Sequence, residues 1–271
     1  MQASPFPAEN TDPSAPASPP SRIKVGCAGW SLPRAAWPEF PADGTHLQRY
    51  AARLNAAEIN SSFYGPHQSA TYARWAASVP DSFRFSVKLP KTITHQQRLR
   101  KCAPLLAAFL MQAGGLGDKL GCLLAQLPPS LAFDAVVVDI FLRDLRQRHC
   151  GPVALEPRHA SWFEPPADAL LQARKIGRVL ADPQVAAAGS RPGGFGGLVY
   201  LRLHGSPRMY YSAYAPALLD ALVVRLGAAA GSGADVWCIF DNTAEGAALT
   251  DALHTLQGVR AAAFGKEGIF R

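Results

Sequence analysis

Two strand-like runs, LVYLRLH at 198–204 and DVWCIFD at 235–241, flank a stretch of helical period at 216–229. Short β-rich apolar runs that alternate with helical stretches predict parallel strands joined by right-handed crossovers. The same unit recurs along the chain from residue 23. The eight predicted strands are 23–29, 57–63, 84–90, 120–127, 152–158, 177–182, 198–204 and 235–241, and the helices are 45–55, 68–78, 103–113, 135–148, 165–175, 216–229 and 244–256.

Eight such units in about 250 residues predict a closed (β/α)8 barrel, an α/β fold that forms a single domain over residues 23–271. The alternative is an open, doubly wound sheet, which usually carries a glycine-rich phosphate turn after its first strand. The run GCAG at 26–29 lacks the third glycine of that turn and the start of a helix. The barrel is therefore the favoured architecture.

The chain has 271 residues, a net charge of +7, and a Pro-, Ala- and Ser-rich segment at 1–22 that predicts a disordered tail. That segment lacks the charged start and apolar core of a secretory signal. No apolar run approaches the roughly 18–20 residues of a spanning helix, so we expect no membrane partner. The five cysteines form no CxxC pair, which predicts buried free thiols and a cytoplasmic location.

The seventh strand carries polar side chains on one face. Because side chains alternate along a strand, Tyr200, Arg202 and His204 share one face, and the apolar residues between them share the other. The apolar face must meet the helices, so the polar face should point to the barrel axis. The same argument turns three further sets inward: Glu58, Asn60 and Ser62; Ser86 and Lys88; Glu156 and Arg158.

Active sites of such barrels lie at the carboxyl ends of the strands. Burial of charge is costly unless the charges are paired, so these polar faces predict a pocket at that mouth. The predicted catalytic residues are Glu156, Lys88, His204 and Asp241. The predicted ligand-binding residues are Asn60, Tyr64, Gln126, Arg158, His159, Trp162, Arg202, Tyr211 and Asn242.

Several of these residues have a purely structural alternative. Glu156 and Lys88 could form an ion pair that neutralises itself, and Asn242 with Glu245 resembles a capping box for the last helix. A metal site is a further alternative, with candidate ligands Glu156, His159, Asp182, His204 and Asp241. The sequence contains no HxH, HExxH or DxD pattern, and nearby basic residues would repel a cation, so we expect no metal and no cofactor.

Seven motifs resemble the YecE-like family, also called domain of unknown function 72. They are GCAGWS at 26–31, EINSSFYG at 58–65, FRFSVKLPKTITH at 83–95, LGCLLAQLPPSL at 120–131, ALEPRHASWF at 154–163, YLRLHGSPRMYYSAY at 200–214 and CIFDNTAEGAALTDAL at 238–253. The resemblance covers residues 23–265 and implies a (β/α)8 barrel in a bacterial-type protein. It implies shared motifs around the candidate site residues but no established activity.

Three functions remain open. The first is a metal-independent enzyme, a hydrolase or a lyase, that acts by general acid–base chemistry on a phosphate- or carboxylate-bearing small molecule; a Schiff base on Lys88 is one variant. The second is a nucleic-acid-binding or phosphodiesterase-type barrel, with which the basic charge and the rim aromatics agree. The third is a non-catalytic ligand binder or scaffold. The sequence does not determine the oligomeric state.

Overall fold

The computed structural model describes residues 22–267, without the side chains of Ala187, Ala188 and residues 264–267. Its fold is the predicted barrel. Ten strands form one sheet: β1 (Ile23–Ala28), β2 (Ala56–Ile59), β3 (Arg84–Lys88), β4 (Leu120–Gln126), β5 (Val153–Glu156), β6 (Gly177–Arg178), β7 (Leu180–Asp182), β8 (Gly193–Gly194), β9 (Leu198–Leu203) and β10 (Asp235–Phe240). The predicted tail at 1–22 lies outside the described residues except for Arg22.

The sheet closes through the sixth predicted strand, which is divided into β6 and β7. β6 pairs with β5 and β7 pairs with β9, and both pairings are parallel. The remaining order is β9-β10-β1-β2-β3-β4-β5, with parallel neighbours throughout. The eight predicted strands are thus confirmed. The short β8, which pairs antiparallel with β6, was not predicted.

Helices surround the barrel: α1 (His46–Ala51), α2 (Ser61–Tyr64), α3 (Ser69–Ala77), α4 (Ala103–Ala113), α5 (Ala135–Arg148), α6 (Pro165–Ala173), α7 (Pro216–Gly231) and α8 (Ala247–Glu267). Their starts follow local chemistry. The Thr45 hydroxyl and the Gln48 side chain form a reciprocal capping box at α1, and the Asp134 carboxylate accepts amide hydrogen bonds from the first turn of α5. No helix among residues 22–267 is long and apolar enough to cross a membrane.

Two apolar layers hold the barrel together. The larger layer lies between the sheet and the helices. The smaller one fills the barrel axis and consists of Ala56, Cys122, Leu124, Ala154, Val179, Ala181, Leu198, Tyr200, Trp237 and Ile239. Tyr200 stacks on Trp237 with a centroid separation of 5.8 Å. Because these two large rings occupy much of the axis, other positions of the same layer are small, namely Ala56, Ala154 and Ala181.

Gly26 shows how tight this interior is. A Cβ on Gly26 would lie 1.9 Å from the carbonyl oxygen of Ala56 on the neighbouring strand. All five cysteines are free, and four are buried as predicted, but Cys150 is exposed because it follows α5 in the loop before β5.

Candidate active site

The inward polar face of β9 is the floor of the site. Arg202 is completely buried, and its guanidinium bonds across the barrel to Glu58 on β2 (Nη2 to Oε1, 2.7 Å; Nε to Oε2, 3.0 Å). It also donates to Glu156 on β5 (2.7 Å) and to Asp241 after β10 (3.0 Å). One guanidinium therefore binds three carboxylates from three parts of the barrel, which confirms that these side chains point to the axis.

Tyr200 completes the floor below Arg202. Its hydroxyl donates to Glu58 Oε2 and lies 2.8 Å from Ser86 Oγ, which accounts for a second inward side chain on β3. Burial and the charge of Glu58 raise the pKa of Tyr200 well above its usual value, so its hydroxyl stays protonated and remains a donor. The sequence placed Glu58 on the inner face, but Glu58 was not among the candidate site residues.

Glu156 is fully buried and pairs with both Arg202 and Arg158. Burial alone would raise its pKa, but the charges of Arg202 and Arg158 and the hydrogen bond with His204 hold it well below its ordinary value. A carboxylate held in this way is a weak base. The ion pair of Glu156 with Lys88, which was the structural alternative for these two residues, is not formed, because both oxygens of Glu156 already face arginines and His204.

His204 is also fully buried, and both of its ring nitrogens are engaged. Nδ1 lies 3.0 Å from Asp241 Oδ2, while Nε2 lies 2.7 Å from Arg158 Nη2 and 3.3 Å from Glu156 Oε1. Burial lowers the pKa of His204, but the two carboxylates raise it above its ordinary value. Nε2 can accept from Arg158 when the ring is neutral with its proton on Nδ1, and it can donate to Glu156 when the ring is protonated.

Lys88 differs from the other charged groups of the mouth. It is 7% exposed and forms no ion pair with any described residue; its amine instead lies 4.3 Å from the centre of the Phe63 ring. Burial, followed by the charge of Arg202, lowers its pKa, and the more distant carboxylates oppose that shift only in part. Lys88 is thus a largely desolvated amine with no carboxylate at ion-pair distance among the described residues.

A π-helical turn at Thr92–Gln96 follows β3 and brings His95 next to Lys88. The His95 ring packs edge-on against Phe63 at 5.0 Å, and burial and the charge of Lys88 lower the pKa of His95. Sequence reasoning did not select His95, although it ends the motif FRFSVKLPKTITH. A helical insertion directly after a polar strand end is the signal that could have identified it.

Three side-chain atoms of candidate site residues are buried without a partner in the described part of the chain: Arg158 Nε, Asn60 Oδ1 and Asn242 Oδ1. The Asn60 residue lies at the start of α2 rather than in a strand, because β2 ends at Ile59. Ser62, which parity placed inward, instead donates to the Lys88 carbonyl at 2.6 Å and serves packing. Gln126 lies directly beside Glu156 in the register and is half-buried.

Three predicted ligand-binding residues have local structural partners. The Trp162 ring is completely buried, and its N–H donates to the Leu131 carbonyl, so the structure does not bring it to the mouth. His159 caps the short helix at Ala160–Phe163. Asn242 is buried and donates to Asp251 and to the Ser212 carbonyl rather than forming a capping box with Glu245.

The tyrosines at the rim divide into exposed and packed rings. Tyr64 is 74% exposed, and Tyr211 is partly exposed beneath the guanidinium of Arg208. Tyr210 is also partly exposed and packs edge-on against His204. Tyr214 is buried and bonds to Asp182, which accounts for one candidate metal ligand. Within residues 22–267 no group of three or more His, Cys, Asp or Glu side chains is arranged to hold a metal.

Comparisons with known proteins agree with this architecture. The family model described as "Protein of unknown function DUF72" matches residues 24–267. The Escherichia coli K12 UPF0759 protein YecE is 35% identical over 106 residues, which are 39% of this chain and 38% of that protein. The Bacillus subtilis UPF0759 protein YunF is 28% identical over 152 residues, 53% of each chain. The matched segments thus span about two fifths of the length of YecE and about half of the length of YunF.

A solved structure shares the fold. The crystal structure of a DUF72 family protein from Enterococcus faecalis V583 superposes with a TM-score of 0.75 at 21% identity, covering 88% of this chain and 95% of the other. At that identity the likeness concerns the barrel and not the chemistry at its mouth.

Proposed function

This chain belongs to the DUF72 family of proteins of unknown function, and from that premise we propose that it is an enzyme that binds a carboxylate- or phosphate-bearing small molecule at the carboxyl-terminal mouth of the barrel. Acid–base groups of the mouth would then transfer protons to and from that ligand. One observation carries the proposal: Arg158 Nε is a buried donor without an acceptor among the described residues, in a mouth where the buried Lys88 side chain forms no ion pair with any of them.

The unpaired Arg158 Nε–H is the anion-binding element. Leaving a buried donor unsatisfied costs roughly 1–3 kcal/mol, and an oxygen of an anionic ligand would remove that cost. The remaining guanidinium of Arg158 is anchored by Glu156 and His204, so the side chain is already oriented before a ligand arrives. Asn60 Oδ1, the second unpartnered atom, would accept a hydrogen bond from a ligand hydroxyl.

The proton-transfer roles differ from those expected from the sequence. Glu156 is too strongly held by two arginines to act as the base, and it serves instead to position Arg158 and His204. Lys88 is the better acid–base group, because a lowered pKa brings the amine closer to neutral pH. The charge of Arg202 and the hydrogen bond with His204 lower the pKa of Asp241 as well, against the effect of burial. Unlike Glu156, Asp241 remains 13% exposed, so it can relay a proton between His204 and a ligand without retaining it.

The proposed chemistry uses no metal ion. Its support is the arrangement of the carboxylates: Glu58, Glu156 and Asp241 all face the Arg202 guanidinium, whose positive charge occupies the space between them. We also propose that the protein works in the cytoplasm. Five unpaired cysteines, four of them buried, fit a reducing compartment.

Calorimetric titration with lactate and inorganic phosphate tests the anion site. Wild type should bind at least one of them, and Arg158→Gln should weaken that binding by about 10- to 100-fold, which corresponds to one charge-assisted hydrogen bond of about 1.5–3 kcal/mol. Arg143→Gln, on the exposed face of α5, is the matched control and should bind as wild type does.

Two results would overturn the proposal. Binding that is equally tight in wild type and Arg158→Gln would remove the anion site from the mouth. Failure of wild type to bind either lactate or phosphate would remove the anion site altogether.

A further inference from the structure

The surroundings of Lys88 suit a nucleophile better than a structural cation. Buried lysines are ordinarily paired with a carboxylate. Among the described residues, the Lys88 amine has no ion-pair partner, and it lies 4.3 Å from the centre of the Phe63 ring. The carboxylates of the mouth are bound by Arg202 instead. A desolvated amine next to another cation is the arrangement that makes a lysine nucleophilic near neutral pH.

The groups around the amine come from five parts of the fold. Two of these groups lie in strands on the barrel axis, Glu58 in β2 and Arg202 in β9. The others lie at or just beyond strand ends: Glu156 and Arg158 at β5, His204 after β9, Asp241 after β10, and His95 on the turn after β3. Neither Glu58 nor Glu156 has an oxygen free for Lys88, because both are bonded to arginine. Asp241 is the one carboxylate of this set that keeps some exposure.

We propose that the amine of Lys88 attacks the carbonyl carbon of a 2-oxo acid whose carboxylate is bound by Arg158, and that it forms an imine with that carbon. This inference rests on the anion site proposed above and names its substrate class. A carboxylate next to a carbonyl satisfies both features of the mouth, since Arg158 Nε supplies the buried donor and Lys88 supplies the nucleophile.

The step balances without an oxidant or a reductant. The nitrogen lone pair of the neutral amine forms the C–N bond while the carbonyl π pair moves to oxygen. The two protons that the nitrogen loses leave with that oxygen as water, and Asp241 carries them between the two atoms. The products are one imine and one water molecule. Once protonated, the imine accepts the electron pair of an adjacent C–H or C–C bond, which is the chemistry of a lyase.

Reductive trapping tests the inference on the full-length protein. Wild type is incubated with pyruvate, and separately with glyoxylate, in the presence of cyanoborohydride at neutral pH, and the modified lysine is located by peptide mass mapping. The adduct should add the mass of the oxo acid less one oxygen atom. Lys88 should carry more adduct than Lys91 after the same reaction time, because a lowered pKa raises the fraction of free amine at Lys88.

The controls separate this inference from the proposed function. Lactate has the carboxylate but no carbonyl, so it should bind, compete with pyruvate and form no adduct. Lys88→Met should abolish the trapped adduct, while Lys91→Met should leave it unchanged. The mapping of the wild-type protein gives the answer even if Lys88→Met fails to fold.

Each outcome has one meaning. A trapped adduct concentrated on Lys88 and suppressed by lactate supports the inference. Lactate binding that depends on Arg158, without an adduct on Lys88 above the level of Lys91, overturns the imine and leaves the anion site standing. Failure of lactate, phosphate and both oxo acids to bind overturns the proposed function together with the inference.

Discussion

Replacement of Arg202 by methionine should destabilise the protein in a pH-dependent way. Arg202→Met keeps the buried volume similar but leaves Glu58 without its cation, with only the Tyr200 hydroxyl as a donor. Removing one member of a buried ion pair costs about 3–5 kcal/mol. Part of this cost depends on pH, because the Arg202 charge also lowers the pKa of Glu156 and of Asp241.

The sign of the pH effect follows from these shifts. In wild type, the lowered pKa values of Glu156 and Asp241 stabilise the fold above about pH 4.3, and this contribution is lost as pH falls below that value. The variant lacks the Arg202 charge and so gains less stability from these two carboxylates. The difference between the two proteins is therefore about 3–5 kcal/mol at pH 7 and should be smaller at about pH 3.

Urea unfolding followed by circular dichroism at both pH values measures this difference. Arg143→Met, which removes an exposed ion pair on α5, is the control and should cost less than about 1 kcal/mol at either pH. The double variant Glu58→Gln/Arg202→Met should recover part of the stability at pH 7. A loss below about 1 kcal/mol for Arg202→Met, or a loss that is the same at both pH values, would refute the account of the floor.

Three further changes test other parts of the structure. Gly26→Ala should prevent folding, because its Cβ would lie 1.9 Å from the carbonyl oxygen of Ala56. In the control Gly227→Ala, in α7, the new Cβ meets nothing within 4 Å and should raise the midpoint of urea unfolding. Equal midpoints for the two variants would contradict the packing of the axis. Tyr200→Phe should cost about 1–3 kcal/mol in urea unfolding, since Glu58 loses a donor, and a neutral result would show that water replaces the hydroxyl. The Lys88 amine, observed by ¹³C NMR of labelled lysine, should titrate below the ordinary value of about 10.4, and an ordinary titration would contradict its desolvation.

The sequence predicted the barrel because strand and helix periods are local properties. Parity in β9 correctly turned Arg202 and His204 inward, since alternation fixes the face of each side chain once the apolar face is assigned. Alternation failed at residues 60–64, where the chain leaves β2 one residue after Glu58 and turns into α2. Phe63, an apolar residue in the same outward phase as Ile59, hid that boundary.

The pairing within the site was not predictable from the pattern of residue types. A lysine and a glutamate on nearby strands suggest an ion pair. The guanidinium of Arg202, however, has five N–H donors, of which Glu58 takes two, and the others bind Glu156 and Asp241. As a result, the Lys88 amine has no ion-pair partner in the part of the chain that the structure describes. The burial of Trp162 depends on the path of the loop before α6, which has no sequence period.

The position of a bound anion tests the central claim most directly. Crystals of the wild-type protein grown with selenate, a tetrahedral dianion that is visible by anomalous scattering, should show selenium at the mouth. The account predicts one selenate in hydrogen-bond contact with both the Lys88 amine and Arg158 Nε. Selenate bound only at arginines of the outer surface, with an empty mouth, would contradict it.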